Sequence, residues 1–570
     1  MKRFDVLVAA VLCAAVLSGC GGGNSAPVPP TERSTKLGMV IGVDNSSTSG
    51  TYAWLGVPFA KPPVGALRWK APVDADAWSS PLLATSFGNA CIQNGRIYGP
   101  GTNNTYDATI GTTLNTPVGS EDCLTLNIWR PASGDNNLPV LFFIYGGSNI
   151  SGYTADPVYN GANLAKTANA VVVTANYRVG VLGFFNLPQL KTGGSAYDAS
   201  GNFAILDNIQ ALKFVNQNIA NFGGDPSNVT VVGQSAGAIN TWALLASPQA
   251  AGLFHKAIPL SGGISLASNL PTGMLPTLNT AATYLNQSNQ LLYNLLIADG
   301  RASDAASAQA YVATQSDSQI ADYLRSKSAG TLLTTVLAKG LTGSGPIPEG
   351  TVVPVDPIAA IGAGHYNKVP VLAGNTAEEG KLFAPFLALS PALGGKPGFI
   401  MSDATRFATM FDATKSAATT IDQVIDPSYL PVATPSTGWN ARTTLLSSIF
   451  MIPSRDNVLN TLKMQQPNVW YYQFKWAQEP APWNDIYGAA HAFDLPFIFG
   501  NFGPSLFANA VNTKANEPGR LALSAAMMKS IASFMRTGDP NNAALGVTWL
   551  AWPSTLTFDA SLTQPQIGVQ

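Results

Sequence analysis

Six short apolar runs, spread along the chain between helical and loop stretches, restrict this sequence to few folds. They are Leu138–Ile144, Ala170–Ala175, Asn228–Val232, Lys256–Leu260, Val369–Ala373 and Val469–Phe474. Each is too short for a helix, rich in Val, Ile or aromatics, and apolar throughout with no alternation. Strands of that kind belong in a sheet covered on both faces, and the helical stretches between them suit right-handed crossovers. The expected architecture is therefore α/β, with a large, mainly parallel central sheet flanked by helices. Two regions break the rhythm, 266–341 and 384–442, both rich in Ala, Ser, Thr and Leu. They read as helical insertions that cap the carboxyl edge of the sheet, where such folds bind ligands. No internal repeat or long linker divides 36–570, so the body reads as one domain.

The amino terminus carries an address. Lys2 and Arg3 precede a twelve-residue apolar stretch, Val6–Leu17, followed at once by Leu17-Ser-Gly-Cys20. A transmembrane helix needs about 20 apolar residues, so this is a targeting segment. The tetrapeptide resembles a bacterial lipobox, which implies a signal peptide over 1–19 and a lipid-bearing Cys20 as the mature terminus. An ordinary secretory signal is the alternative. Several acyl chains, at about 0.8 kcal/mol per buried methylene, would anchor the protein. The Gly-, Pro- and Ser-containing segment up to Thr35 reads as a flexible tether. Gly21, in place of an Asp after Cys20, favours the outer membrane or cell surface. In an exported body the two remaining cysteines, Cys91 and Cys123, are expected to pair.

The formal charge is −1, from 31 Lys and Arg against 32 Asp and Glu, and only 11% of residues are charged. No basic cluster exists to displace counterions from phosphates, which excludes a nucleic-acid partner. The membrane enters only through the lipid anchor, and nothing in the sequence bears on oligomeric state.

Val231-Val-Gly-Gln-Ser-Ala-Gly-Ala238 sets a serine in a G-x-S-x-G pentapeptide between a β-branched run and a helix-forming stretch. The glycines permit a sharp reversal, and the Ser235 hydroxyl is then carried on the tip of a strained turn. A serine needs a base, and the chain has three histidines. His255 precedes a strand and reads as structural, and His365 as an exposed turn residue. His491 lies on a glycine-containing loop after the Val469–Phe474 run, where such sheets keep catalytic groups. The base needs a carboxylate. Gly374-Asn-Thr-Ala-Glu-Glu-Gly380 offers Glu378 and Glu379, and the residues alone favour neither. Tyr145-Gly-Gly-Ser-Asn149 follows a strand and can present the amides of Gly147 and Ser148 to an oxyanion, with Ala236 supplying a third.

These residues resemble the type B carboxylesterases, the group that includes the cholinesterases, over about Gly38 to Pro553. Trp54-Leu-Gly-Val-Pro-Phe-Ala60 with Pro62-Pro-Val-Gly-Ala-Leu-Arg-Trp69 is similar to the family's amino-terminal signature, and Glu121-Asp-Cys-Leu-Thr-Leu-Asn127 to its second. Phe222-Gly-Gly-Asp-Pro226, leading into Gly233-Gln-Ser-Ala-Gly237, resembles the serine signature. Thr537-Gly-Asp-Pro-Asn541 and Trp552-Pro553 also agree.

The resemblance implies an α/β-hydrolase fold with Ser235 as nucleophile, His491 as base and Glu379 as acid. It implies an oxyanion hole from Gly147, Ser148 and Ala236, a Cys91–Cys123 disulfide, and ion pairs Arg68–Glu121 and Arg178–Asp207. The implied activity is carboxylic-ester hydrolysis through an acyl-enzyme, with a small-molecule ester as partner and no metal or organic cofactor. Low charge in the cap regions favours uncharged hydrophobic esters, among them short-chain esters, acylglycerols and synthetic polyesters. The alternative is a catalytically silent binding protein of the same fold, since some members are adhesion molecules that lack a triad residue.

Two departures matter. Many relatives have three glycines and then an aromatic in the oxyanion loop, where this chain has Gly146-Gly147-Ser148-Asn149, so Ser148 is expected to strain or shift the loop. Gln234 stands where cholinesterases place a Glu, which removes an anchor for quaternary ammonium substrates.

Overall fold

The computed structural model describes residues 29–341, 343–387 and 402–570. The signal segment, Cys20 and most of the tether lie outside the described residues, as do 388–401 of the second cap region.

A mixed sheet of eleven strands forms the centre. In chain order they are β1 (Val43–Asn45), β2 (Thr51–Pro58), β3 (Thr125–Pro131), β4 (Leu138–Ile144), β5 (Val171–Ala175), β6 (Gly224–Gln234), β7 (Lys256–Leu260), β8 (Val371–Thr376), β9 (Val469–Phe474), β10 (Leu556–Ala560) and β11 (Pro565–Val569). Their spatial order is β11-β10-β9-β8-β7-β6-β4-β5-β3-β2-β1. The stretch from β5 to β10 is parallel throughout. The pairings at both edges are antiparallel.

Each of the six apolar runs contributes to a parallel strand, and β4, β5, β7 and β8 are buried at every residue. Covering helices on both faces impose that uniform burial. The strands of the antiparallel pairings escape the apolar-run criterion because polar or partly exposed positions interrupt them. In β2, for example, buried Thr51, Ala53 and Trp54 are interspersed with half-exposed Tyr52 and Leu55.

The tether reading needs a correction at its end. Glu32–Thr35 is a strand, paired antiparallel with Gly38–Ile41. The Trp54 indole donates to Thr31 O at 2.8 Å, and the Arg33 guanidinium lies 5.4 Å from the Trp54 ring centroid. These contacts tie the segment to the body despite its loop-like composition.

The region 266–341 holds the helices Ala281–Ala298, Ala305–Ala313, Asp317–Arg325 and Ala329–Ala338. Their apolar faces join Trp69, Leu182 and Phe185 in a core separate from that of the sheet. Asp403–Met410, Ala413–Ala418 and Trp439–Ile449 are helical in the second region or at its end. Among the described residues no helix is long and apolar enough to cross a membrane.

Candidate active site

Strands β4, β6, β7, β8 and β9 are adjacent and parallel, so the residues that follow them meet at one edge, with neighbours about 4.8 Å apart. The turn after β6 carries Ser235, with φ 59° and ψ −123°, a backbone conformation that serine rarely takes. The flanking glycines permit it. A Cβ on Gly237 would lie 2.0 Å from Ile144 O, and one on Gly233 would lie 2.1 Å from Gly237 O. The Ser235 amide donates to Leu260 O at 2.8 Å, which fixes the turn against β7. The helix Ala236–Ala246 begins immediately afterwards.

Glu379 follows β8 and His491 follows β9. Glu379 Oε2 accepts from His491 Nδ1 in a short contact, with both side chains buried. Of the two glutamates the sequence offers, this one faces the imidazole. Glu378 points away, pairing with Lys381 Nζ at 2.6 Å and accepting from the Ala489 amide at 2.9 Å, which braces the histidine loop. The other oxygen of Glu379 accepts from Ser261 Oγ at 2.6 Å, Asn375 Nδ2 at 2.9 Å and the Thr376 amide at 2.9 Å. Burial pushes the carboxyl's pKa up. The charge of His491 and hydrogen bonds from His491, Ser261 and Asn375 outweigh it, so the pKa lies below its ordinary value.

With Nδ1 donating to a carboxylate, His491 presents a lone pair at Nε2. That nitrogen is 3.0 Å from Nε2 of Gln234, the residue before Ser235. Among the described residues the Ser235 hydroxyl makes no hydrogen bond to His491; the base lies beside the nucleophile's neighbour. The Phe383 ring packs against the imidazole at 4.5 Å between centroids and meets Phe450 edge-on at 5.5 Å.

On the other side of β6, the loop after β4 places Gly147 at φ 108°, Ser148 at φ 57° and Asn149 at φ 57°. Ser148 thus adopts the left-handed conformation that glycine would take without strain. The N–H groups of Gly147, Ser148 and Ala236 donate to no protein acceptor among the described residues. The loop is fastened at Asn149. Its O accepts from the Gly180 amide at 2.6 Å, and its side chain exchanges hydrogen bonds with Asn240 on the helix after Ser235.

Arg178 Nη2 lies 2.7 Å from Asp207 Oδ1, with side chains 4% and 0% exposed. Arg68 Nη2 lies 2.5 Å from Glu121 Oε2. Cys91 and Cys123 form a disulfide across a separation of 32 residues. His255 accepts from the Val229 amide at Nδ1, 3.1 Å away, and His365 is exposed; neither joins the site. Among the described residues no group of three or more His, Cys, Asp or Glu is placed to hold a metal ion.

Sequence reasoning missed Ser261, Asn375, Asn240 and the contact between Gln234 and His491. Ser261 and Asn375 carried a usable signal, since each is a polar residue at the carboxyl end of a wholly buried apolar strand.

A model of the carboxylesterase family matches residues 29–563. The para-nitrobenzyl esterase of Bacillus subtilis (strain 168) is 31% identical over 534 residues, covering 93% of this chain and 95% of that protein. The acetylcholinesterase of Bungarus fasciatus is 30% identical over 574 residues, covering 97% of this chain and 84% of that protein. Among solved structures, a carboxylesterase of Geobacillus stearothermophilus aligns with a TM-score of 0.69 at 29% identity, covering 95% of this chain and 98% of its own.

Proposed function

The chain belongs to the carboxylesterase family, has the α/β-hydrolase fold and hydrolyses carboxylic esters, and we propose that it does so through Ser235, His491 and Glu379 on uncharged, hydrophobic substrates. The observation that carries this reading is the position of His491, held at Nδ1 by Glu379 and brought at Nε2 to the tip of the strand bearing Ser235.

Ser235 Oγ attacks the ester carbonyl as His491 Nε2 takes its proton, and the carboxylate of Glu379 stabilises the imidazolium. The carbonyl oxygen becomes an oxyanion, and the three uncommitted amides of Gly147, Ser148 and Ala236 are fixed donors for it. The intermediate collapses, His491 returns its proton to the departing alkoxide, and an acyl-enzyme is left. Water, deprotonated by the same histidine, then releases the acid and restores Ser235.

Phe383 and Phe450 supply an apolar wall beside the imidazole, which supports a hydrophobic ester. Gln234 is neutral, so a choline ester gains no carboxylate partner there. The helices of 281–338 and 403–449 are proposed to act as the cap. Leu17-Ser-Gly-Cys20 supports a lipid anchor; mass measurement of the amino terminus should find acylated Cys20, and an unmodified one overturns the anchor.

A fluorophosphonate probe tests the catalytic reading. Covalent labelling that disappears in Ser235→Ala is expected. A folded protein that takes no label is the silent binding protein instead.

A further inference from the structure

Two donors claim one lone pair. Glu379 accepts from His491 Nδ1, so that nitrogen bears the ring proton and Nε2 can only accept. Gln234 is 2% exposed, and its carboxamide nitrogen points at Nε2 from 3.0 Å. Turning the amide over would set two lone pairs face to face unless the ring carried a second proton, so the nitrogen-inward orientation is the one compatible with a neutral base. Ser235 must give its proton to that same Nε2, yet its hydroxyl makes no hydrogen bond to the ring. Moving Gln234 breaks one neutral hydrogen bond and uses the freedom of an unbranched side chain.

We propose that Gln234 is a positioning residue that guards the catalytic base, occupying the His491 Nε2 lone pair between turnovers and yielding it to Ser235 when a substrate enters. This rests on the Ser235–His491–Glu379 reading. The guard makes the resting serine a weaker nucleophile than an unoccupied His491 would make it. It also keeps a donor beside the nitrogen that later returns the proton to the leaving alcohol.

The charged and titratable groups that face the imidazole are Glu379, on the turn after β8, and Asp494, on the histidine's own loop, whose carboxylate accepts from the Tyr472 hydroxyl of β9 at 2.7 Å. None of them is altered by a change at Gln234.

The rate of fluorophosphonate labelling against pH tests the guard. Gln234→Met keeps an unbranched chain of similar length but has no donor, and it should label about 3- to 10-fold faster than wild type near neutral pH, the factor set by one neutral hydrogen bond. Gln234→Glu cannot donate to a lone pair and accepts only from protonated Nε2. It should label more slowly, with the acidic limb of the profile displaced by about 0.5 or more toward higher pH, because a carboxylate beside the ring holds the Nε2 proton more tightly. Gln234→Met at or below the wild-type rate with an unchanged melting temperature overturns the guard. If Gln234→Met fails to fold, an unmoved limb in Gln234→Glu overturns it. Labelling that survives in Ser235→Ala is a different failure, that of the nucleophile assignment.

Discussion

Asn149 and Asn240 exchange hydrogen bonds through their carboxamides. Asn240 Nδ2 donates to Asn149 Oδ1 at 2.8 Å and Asn149 Nδ2 donates back to Asn240 Oδ1 at 3.3 Å, with both side chains buried. The pair joins the loop offering the Gly147 and Ser148 amides to the helix whose first residue offers that of Ala236. Asn149→Gly accommodates the positive φ and removes the side chain that bonds Asn240. It should cost about 1–3 kcal/mol by stranding Asn240, and should lower kcat about tenfold with KM within threefold, because the amides proposed as oxyanion donors would act on the transition state. Steady-state kinetics and urea midpoints of Asn149→Gly, Asn240→Ala and the double variant check this. The double variant should cost less than the sum of the singles.

Ser148 is exposed and sits at φ 57°. Ser148→Gly relieves about 1 kcal/mol of left-handed strain but loosens the unfolded chain by a similar amount, so its urea midpoint should stay within about 0.5 kcal/mol of wild type. Ser148→Val puts a β-branched side chain in the same conformation and should lose about 2 kcal/mol.

Arg178 and Asp207 are bonded twice side chain to side chain, and the Arg178 amide adds a third contact to Asp207. Asp207→Asn leaves a buried guanidinium without its counter-charge and should cost about 3–5 kcal/mol. Lys61 and Asp76 are also 2.7 Å apart, but with side chains 36% and 79% exposed, and Asp76→Asn should cost no more than about 1 kcal/mol. Denaturation of the two variants side by side separates burial from distance as the determinant.

Glu479 is buried, and neither carboxyl oxygen has a hydrogen-bond partner in any other described residue. Burial above all, helped by the nearby charge of Glu378, pushes its pKa from the ordinary 4.5 up to about 8, against its own backbone amide and Lys381. The folded protein therefore keeps a proton that the unfolded chain gives up above about pH 4.5. Stability falls as pH rises from there to about 8 and levels off beyond. Asp494, raised to about 6 by burial, adds to the lower part of the same slope. Glu479→Gln should flatten the loss of melting temperature between pH 6 and pH 8. A slope equal to that of the wild type would refute this assignment.

The fold was legible where burial is symmetrical. Lys256–Leu260 was found to the residue because a strand covered on both faces has no polar side to blur it. Strands β2, β3, β10 and β11 lie toward the sheet edges, where polar residues such as Thr51, Arg130 and Asp559 interrupt the pattern. Near Ser235, Gly233 and Gly237 marked the tight turn that the strand makes there, since a Cβ at either would collide with backbone. Glu378 and Glu379 were indistinguishable as neighbours in sequence. What separates them is the direction of two successive side chains, one toward His491 and one toward Lys381 and Ala489. The contacts Gln234–His491 and Asn149–Asn240 span 257 and 91 residues, and no local pattern encodes them.

The most direct measurement is kcat/KM for a p-nitrophenyl ester in wild type, Ser235→Ala, His491→Ala and Glu379→Gln, each checked for an unchanged melting temperature. Ser235→Ala and His491→Ala should each lose about 10⁴-fold or more, and Glu379→Gln about 10³- to 10⁴-fold, with no further loss when the first two are combined. A folded Ser235→Ala that retains hydrolysis within about tenfold of wild type would contradict the assignment of the nucleophile and the mechanism built on it.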